Sequence, residues 1–338
     1  MKNAYIWIIW LVNTILFLLS TRNPLYLLFV LVNLFILGNK IARGQHRKAW
    51  AALNLRFVIS MILISSVVNG LFTHLGQTTL LRFPQKWLLI GGSITLESII
   101  YGAINGLMIG ALYLTFNILN LALNVKQLSR LIPRAFYPIA MTTTIALTFF
   151  PSIQQRAREI KEAQMIRGNP MKKISDWLPI LLPLLVTSLE DAITLSESMT
   201  SRGFLAIPKS DQTNLAVISL MIATFAIFSG WILNQYNYPR FISILLYVIG
   251  GSAICLTLIL KGREFKVTHF HQITWHTNDI TLGIIFLISI ILQITLSVIF
   301  DFDLSYSPYP QLSLPMIKVI GILFCIIPIL PILVQHND

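Results

Sequence analysis

Eight apolar runs, near residues 4–20, 24–39, 57–73, 89–122, 212–233, 241–260, 281–300 and 315–334, leave this chain few ways to fold. Crossing the hydrocarbon core of a bilayer takes about 20 residues of helix. Inside that core every backbone N–H and C=O must be paired within the protein. Runs of this length and number predict an all-α, polytopic integral membrane protein with about eight spans. Composition agrees: 11% of the 338 residues are charged and mean hydropathy is +0.74, whereas soluble chains carry about 25% charged residues. The first two runs are short and suit a tight hairpin, while the fourth is long enough for a tilted or broken helix. The first run lacks a small-residue cleavage pattern and another follows it closely, so it reads as a retained span.

The net charge of +12 is concentrated in a few loops, as orientation by the positive-inside rule requires. That placement argues against nucleic acid as a partner and for a lipid bilayer. Lys40, Arg43, Arg47, Lys48 and Arg56 follow the second span with no acid among them. Lys126, Arg130, Arg134, Arg156, Arg158, Lys161, Arg167, Lys172 and Lys173 follow the fourth. Lys261, Arg263 and Lys266 lie near 261–280, and 301–314 holds only Asp301 and Asp303. Eight spans with both termini cytoplasmic satisfy all these loops. The apolar stretch 131–151, interrupted by Pro133, Arg134, Pro138 and Pro151, is expected at the membrane surface, because a crossing there would put the two long basic loops on opposite sides. The chain thus divides into an N-terminal transmembrane region 1–123, a cytoplasmic or surface region 124–211, and a C-terminal transmembrane region 212–338.

Region 124–211 holds the least lipid-compatible sequence. A helix over about 152–167 carries Arg156, Arg158, Glu159, Lys161, Glu162, Ala163 and Gln164 and ends at Arg167-Gly168. Asn169-Pro170 breaks it, and Ser175 and Asp176 stand where an N-cap belongs. A second helix, about 176–201, is apolar through Leu178, Ile180, Leu181, Leu182, Leu184, Leu185 and Val186. It turns amphipathic around Glu190, Asp191, Thr194, Glu197 and Met199, and ends at Ser201-Arg202-Gly203. Glycine just past a helix is a common stop, and arginine in the last turn suits the negative end of the helix dipole. Two such endings on neighbouring helices ask for more than helix termination.

Other chemistry is thinly represented. No Gly-x-x-x-x-Gly-Lys-[Ser/Thr] loop is present, so the chain has no P-loop of its own. Cys255 and Cys325 sit in apolar runs as small hydrophobes. His269, His271 and His276 lack acidic or thiol companions at a metal-binding spacing and read as solvated loop residues. Glu97, an acid within a span, is a functional candidate by default, but alone it reads as facing protein or the membrane edge. Arg43-Gly44 repeats the dipeptide without a helical lead-in and reads as a chance match.

The motifs Ala163-Gln164-Met165-Ile166-Arg167-Gly168 and Ser198-Met199-Thr200-Ser201-Arg202-Gly203 resemble the paired Ala-Arg-Gly endings of the T component of energy-coupling factor (ECF) transporters, the CbiQ/EcfT family. The run Leu181 to Leu189, the triplet Phe149-Phe150-Pro151 and Asn23-Pro24-Leu25 are also family-like. Ile166 and Ser201 depart from the alanine that precedes each arginine. The resemblance covers roughly 20–235, leaving three further spans. It implies a non-catalytic subunit of a bacterial or archaeal cytoplasmic membrane, with two cytoplasmic coupling helices between the fourth and fifth spans. Ala163, Arg167, Gly168, Ser201, Arg202 and Gly203 would dock onto two ABC-type ATPases, supported by Arg156, Arg158, Glu162, Gln164, Glu197 and Met199. The chain would bind no cofactor, ATP and magnesium residing on those ATPases. A small substrate-binding membrane protein would carry a vitamin or a transition-metal ion. Two rivals stand beside this reading. An ordinary ABC importer permease would use only Glu162 to Gly168 as its docking loop and leave Arg202-Gly203 unexplained. An autonomous secondary transporter would show paired repeats and midplane charges.

Overall fold

The computed structural model describes residues 3–42, 46–82, 93–124, 127–128, 131–168, 177–203, 213–236, 240–264, 276–299, 304, 306–310 and 312–334. It is built of helices apart from one short hairpin. Among the described residues, eight helices are long and apolar enough to cross a membrane: Pro24–Ile41, Arg47–Phe72, Leu96–Ala122, Arg134–Ile166, Leu178–Ser201, Asn214–Gln235, Phe241–Gly262 and Thr277–Ser297. The apolar helices at Ala4–Ser20 and Val319–Ile329 are shorter. The multi-pass, all-α expectation therefore holds, although the membership of the set differs from the eight runs read in the sequence.

The chain forms two compact units. The first, Met1–Asn124 with Gln272–Asp338, contains α1 (Ala4–Ser20), α2 (Pro24–Ile41), α3 (His46–Phe72), β1 (Thr79–Arg82), β2 (Ser93–Thr95) and α4 (Leu96–Ala122). The α1–α2 turn is set locally. Asn23 accepts a 3.0 Å bond from Leu25 N, and Pro24 occupies the first turn of α2, where its missing N–H costs nothing. β1 and β2 pair antiparallel, Arg82 opposite Ser93, and Thr95 then caps α4 by accepting from Ser98 N. The fourth apolar run is thus a short strand and then a helix from Leu96. Residues 83–92 lie outside the described residues.

Close packing of α3 on α4 depends on glycine. A Cβ on Gly102 would stand 2.5 Å from Ser65 O, and one on Gly106 would stand 2.6 Å from Ile62 Cα. The core of this unit is formed by Ile6, Trp7, Trp10, Phe17 and Leu18 of α1, Leu27, Leu34 and Leu37 of α2, and Leu114 and Ile118 of α4, all essentially inaccessible.

The C-terminal part of this unit comprises α9 (Thr277–Ile299), α10 (Val319–Ile326), a 3-10 turn (Ile327–Ile329) and α11 (Pro331–Val334). Here the last apolar run departs from a simple span. Residues 312–318 are not helical, and Pro328 and Pro331 contribute no N–H, so helical pairing is interrupted and carbonyls of the segment are accessible to side-chain donors. Side chains of α2 meet them. Asn23 Nδ2 donates to Met316 O (2.9 Å), Tyr26 Oη to Lys318 O (3.0 Å), Asn33 Nδ2 to Cys325 O (2.9 Å) and Lys40 Nζ to Ile332 O (3.1 Å). The last three partners are each 292 residues apart and the first 293. A constant offset means that the segment runs parallel to α2, in register along its length. Tyr26, Asn33 and Lys40 recur every seven residues, as one helix face requires. From α1, Trp10 Nε1 donates to Pro328 O at 2.9 Å.

The second unit, Val125–His271, contains a 3-10 turn (Arg134–Phe136), α5 (Tyr137–Ile166), α6 (Leu178–Ser201), α7 (Thr213–Gln235) and α8 (Arg240–Glu264). α7 packs on α8 through Ala216, Ser219, Ala223, Ala226 and Gly230. α5 corrects one expectation. The stretch 131–151 and the helix expected from 152 are, from Tyr137 onward, one 30-residue helix. Pro138 sits in its first turn, and Pro151 stands inside it without ending it. A single interior proline removes one hydrogen bond, which a long helix can absorb with a bend.

Candidate functional site

α5 and α6 pack against each other, and their C-terminal ends are built alike. Arg167 takes the C-cap position of α5 (φ −76°, ψ 5°) and Arg202 that of α6 (φ −85°, ψ 6°). The following glycines adopt positive φ, 82° at Gly168 and 74° at Gly203. A left-handed residue after the C-cap is how many helices close, and it costs a residue with a Cβ strain that glycine avoids. Gly168 N bonds Met165 O (3.1 Å), Arg167 N bonds Ala163 O (3.2 Å), and Gly203 N bonds Thr200 O (2.9 Å). A Cβ on either glycine would meet nothing within 4 Å. Among the described residues the glycines are thus required by backbone conformation alone, and the space around them is open.

That openness extends back along both helices. α5 has no buried residue and α6 only Ile180. Ala163, Glu162, Arg158, Arg167, Ser201, Arg202 and Glu197 are exposed, whereas Gln164, Met199 and Arg156 are half-buried. Ile166 is 88% exposed, an unusual place for a large aliphatic side chain unless something covers it. Arg156 Nη1 is paired with Asp191 Oδ2 of α6. Arg158 turns back to Gln154 O of its own helix, and Gln155 donates to Glu159. The structure thus brings Arg156 into the α5–α6 contact and leaves the arginine and glycine of both ends exposed. Asp191 is the residue to which the sequence reading gave no role.

The remaining candidates fall elsewhere. Glu97 lies in the first turn of α4 and is buried. Its Oε1 accepts from Gln77 N (3.3 Å), Thr78 N (3.1 Å) and Thr78 Oγ1, which makes it a latch on the loop after α3. Cys325 is buried beneath Tyr26 and Cys255 is exposed on α8. His276 O accepts from the first turn of α9. His269, His271, Arg43-Gly44, the Asn169-Pro170 break and the expected cap at Ser175 and Asp176 lie outside the described residues.

Comparison with known proteins bears on these two ends. A family model described as cobalt transport protein, CbiQ, matches residues 2–215, a stretch that contains both. The chain is 27% identical over 204 residues to the energy-coupling factor transporter transmembrane protein EcfT of Bacillus selenitireducens, covering 56% of this chain and 73% of that protein. It is 26% identical over 249 residues to the EcfT of Lactobacillus helveticus, covering 66% and 84%. It is 28% identical over 222 residues to that of Lactococcus lactis subsp. cremoris, covering 59% and 80%.

Proposed function

The chain belongs to the CbiQ family of cobalt transport proteins, and on that premise we propose that it is the coupling subunit of an energy-coupling factor importer. It carries no catalytic step of its own. The observation that carries this reading is the duplicated end: two packed helices, each closing on an exposed arginine and a left-handed glycine. Each end docks in a groove on one of two ABC-type ATPases in the cytoplasm. There a guanidinium makes geometrically fixed, often bidentate bonds to carboxylates of the groove. The glycine lets the backbone leave the contact at once, and the exposed Met165 and Ile166 supply apolar area to cover.

When ATP closes the ATPase pair, both docked ends move. α5 and α6, about 45 Å and 36 Å long at 1.5 Å per residue, carry that movement to the membrane. Exposed apolar side chains such as Ile139, Phe150, Leu181, Leu182 and Leu185 offer a surface to a separate small membrane protein that holds the cargo, a vitamin or a transition-metal ion. Its reorientation releases the cargo inside the cell.

The test is affinity purification of the tagged full-length chain from its native membrane, followed by mass spectrometry. Two equivalents of cassette ATPase together with a small membrane protein are expected. A soluble binding protein in place of the small membrane protein would reassign the chain to an ordinary importer. Absence of any ATPase, beside a control transporter that keeps its own, would overturn the reading.

A further inference from the structure

We infer that Arg156 and Asp191 are the positioning residues that fix the crossing of α5 and α6 at a point equidistant from the two Arg-Gly ends. This rests on the coupling reading above and adds to it the element that makes the two ends move as one. Arg156 precedes Arg167 by 11 residues, and Asp191 precedes Arg202 by 11. At 1.5 Å per residue each arm is about 16 Å long. Eleven residues are also three turns to within about 20° at 3.6 residues per turn. On each helix the pinned position and the terminal arginine therefore point the same way.

The pair sits in the middle of the contact. On α5 beyond Pro151 the residues of reduced exposure are Ile153, Arg156, Ala157, Ile160 and Gln164, and on α6 they include Leu184, Thr187, Ser188, Asp191, Leu195 and Met199. Both sets recur at helical spacing and define two facing stripes. The α5 stripe is narrow and otherwise uncharged. Small and aliphatic side chains with nothing buried beneath them would let the helices slide or rotate past one another, because apolar contact has no direction. One oriented ion pair removes that freedom.

Its strength is not the point. The side chains of Arg156 and Asp191 keep 39% and 31% of their exposure, and pairs so placed add little to stability. Their value is registry, the best-attested use of a charged pair at a helix contact. With two equal arms pivoting at a fixed point, the distance between the two tips depends on the crossing angle alone. A slip of one helix by a turn would make the arms unequal and present the two arginines to two ATPases at different heights.

The experiment measures the distance between the arms directly. In a full-length chain freed of its cysteines (Cys255→Ser, Cys325→Ala), spin labels are placed at Lys161→Cys and Ser196→Cys, both exposed and each five residues past the pin. Pulsed electron resonance is recorded on the complex purified with its ATPases, with and without ATP. A single narrow distribution that shifts as one population on adding ATP is expected for the parent. Arg156→Ala or Asp191→Ala should broaden it while both ATPases remain bound, and the exchanged pair Arg156→Asp with Asp191→Arg should restore the narrow distribution. Unchanged width in the single variants overturns the inference, as does failure of the exchanged pair to narrow it or loss of the ATPases in the single variants. If the parent itself carries no ATPase, the coupling reading falls. The widths of the parent and variants, measured on the chain alone, still decide whether this pair sets the crossing.

Discussion

α2 and α6 are both apolar helices, of 18 and 24 residues, and they have opposite relations to the rest of the chain. α2 is covered. Leu27, Val30, Leu34 and Leu37 are fully buried, and its polar residues reach the carbonyls of 316–332. α6 is bare, with Ile180 its one buried residue and Leu178, Leu181, Leu182, Leu185 and Leu189 each more than half exposed. Hydrophobicity alone does not tell these cases apart. The difference lies in polar punctuation. Asn, Tyr and Lys at heptad spacing serve a neighbour already present, while the glycine and arginine at the end of α6 are, on the coupling reading proposed above, a surface for something outside the chain. A covered helix reports on folding, and a bare one on assembly.

The sharpest test of that division is at the bare ends. Arg167→Ala and Arg202→Ala should each weaken ATPase docking by about 2–5 kcal/mol, the usual cost of truncating one member of a buried charged pair. Melting of the isolated chain should stay unchanged. Titration of purified ATPase against the reconstituted variant reads the first, and a thermal scan the second. A drop in melting temperature with docking intact would erase the distinction.

At the covered end the effects should invert. Gly106→Leu places carbon against Ile62 Cα and Met61 O, backbone that cannot yield as a side chain would. It should destabilise the chain by about 1–3 kcal/mol or more, read as a fall in thermal midpoint. Any ATPase that the surviving folded fraction binds should be bound normally.

Gly168→Ala separates conformation from contact. No described residue lies near enough to clash, so the expected cost is that of a left-handed residue with a Cβ, about 1–2 kcal/mol. It should appear as faster amide exchange confined to the last turn of α5, with a matching loss of docking. Exchange rising across α5 and α6 together would mean that the cap supports more than its own turn. The smallest change is expected for Asn33→Leu. Single hydrogen bonds inside membrane proteins average about 0.6 kcal/mol, and this one should loosen α10 by that much, read as increased alkylation of Cys325 in a Cys255→Ser background by a membrane-permeant maleimide.

What the sequence discloses follows the same division. The spans are legible because about 20 apolar residues have few other fates in a membrane protein. The Arg-Gly closures are legible because glycine is the residue that adopts φ near 80° without strain. The upstream limit of α5 is not, since Pro133, Pro138 and Pro151 look equivalent on paper. Only the helix reveals that Pro138 lies in a first turn, where it is harmless, and Pro151 inside. The partnership of Arg156 with Asp191 is hidden as well. Charges 35 residues apart have no local reason to meet until two helices cross. Least legible is the α2 seam, because a carbonyl has no letter in the sequence.

That last point bears on how the C-terminal segment can change over time. Every amino acid brings the same backbone oxygen, so the bonds from α2 to residues 316–332 read no side chain there, although the buried Gly321, Phe324 and Cys325 are held by packing as well. Substitutions at exposed positions such as Met316, Val319 and Leu323 leave those bonds in place. Adding or removing one residue is another matter, for it would shift Lys318, Cys325 and Ile332 away from Tyr26, Asn33 and Lys40 together. In this stretch length is constrained throughout, and spelling only where the side chain is buried.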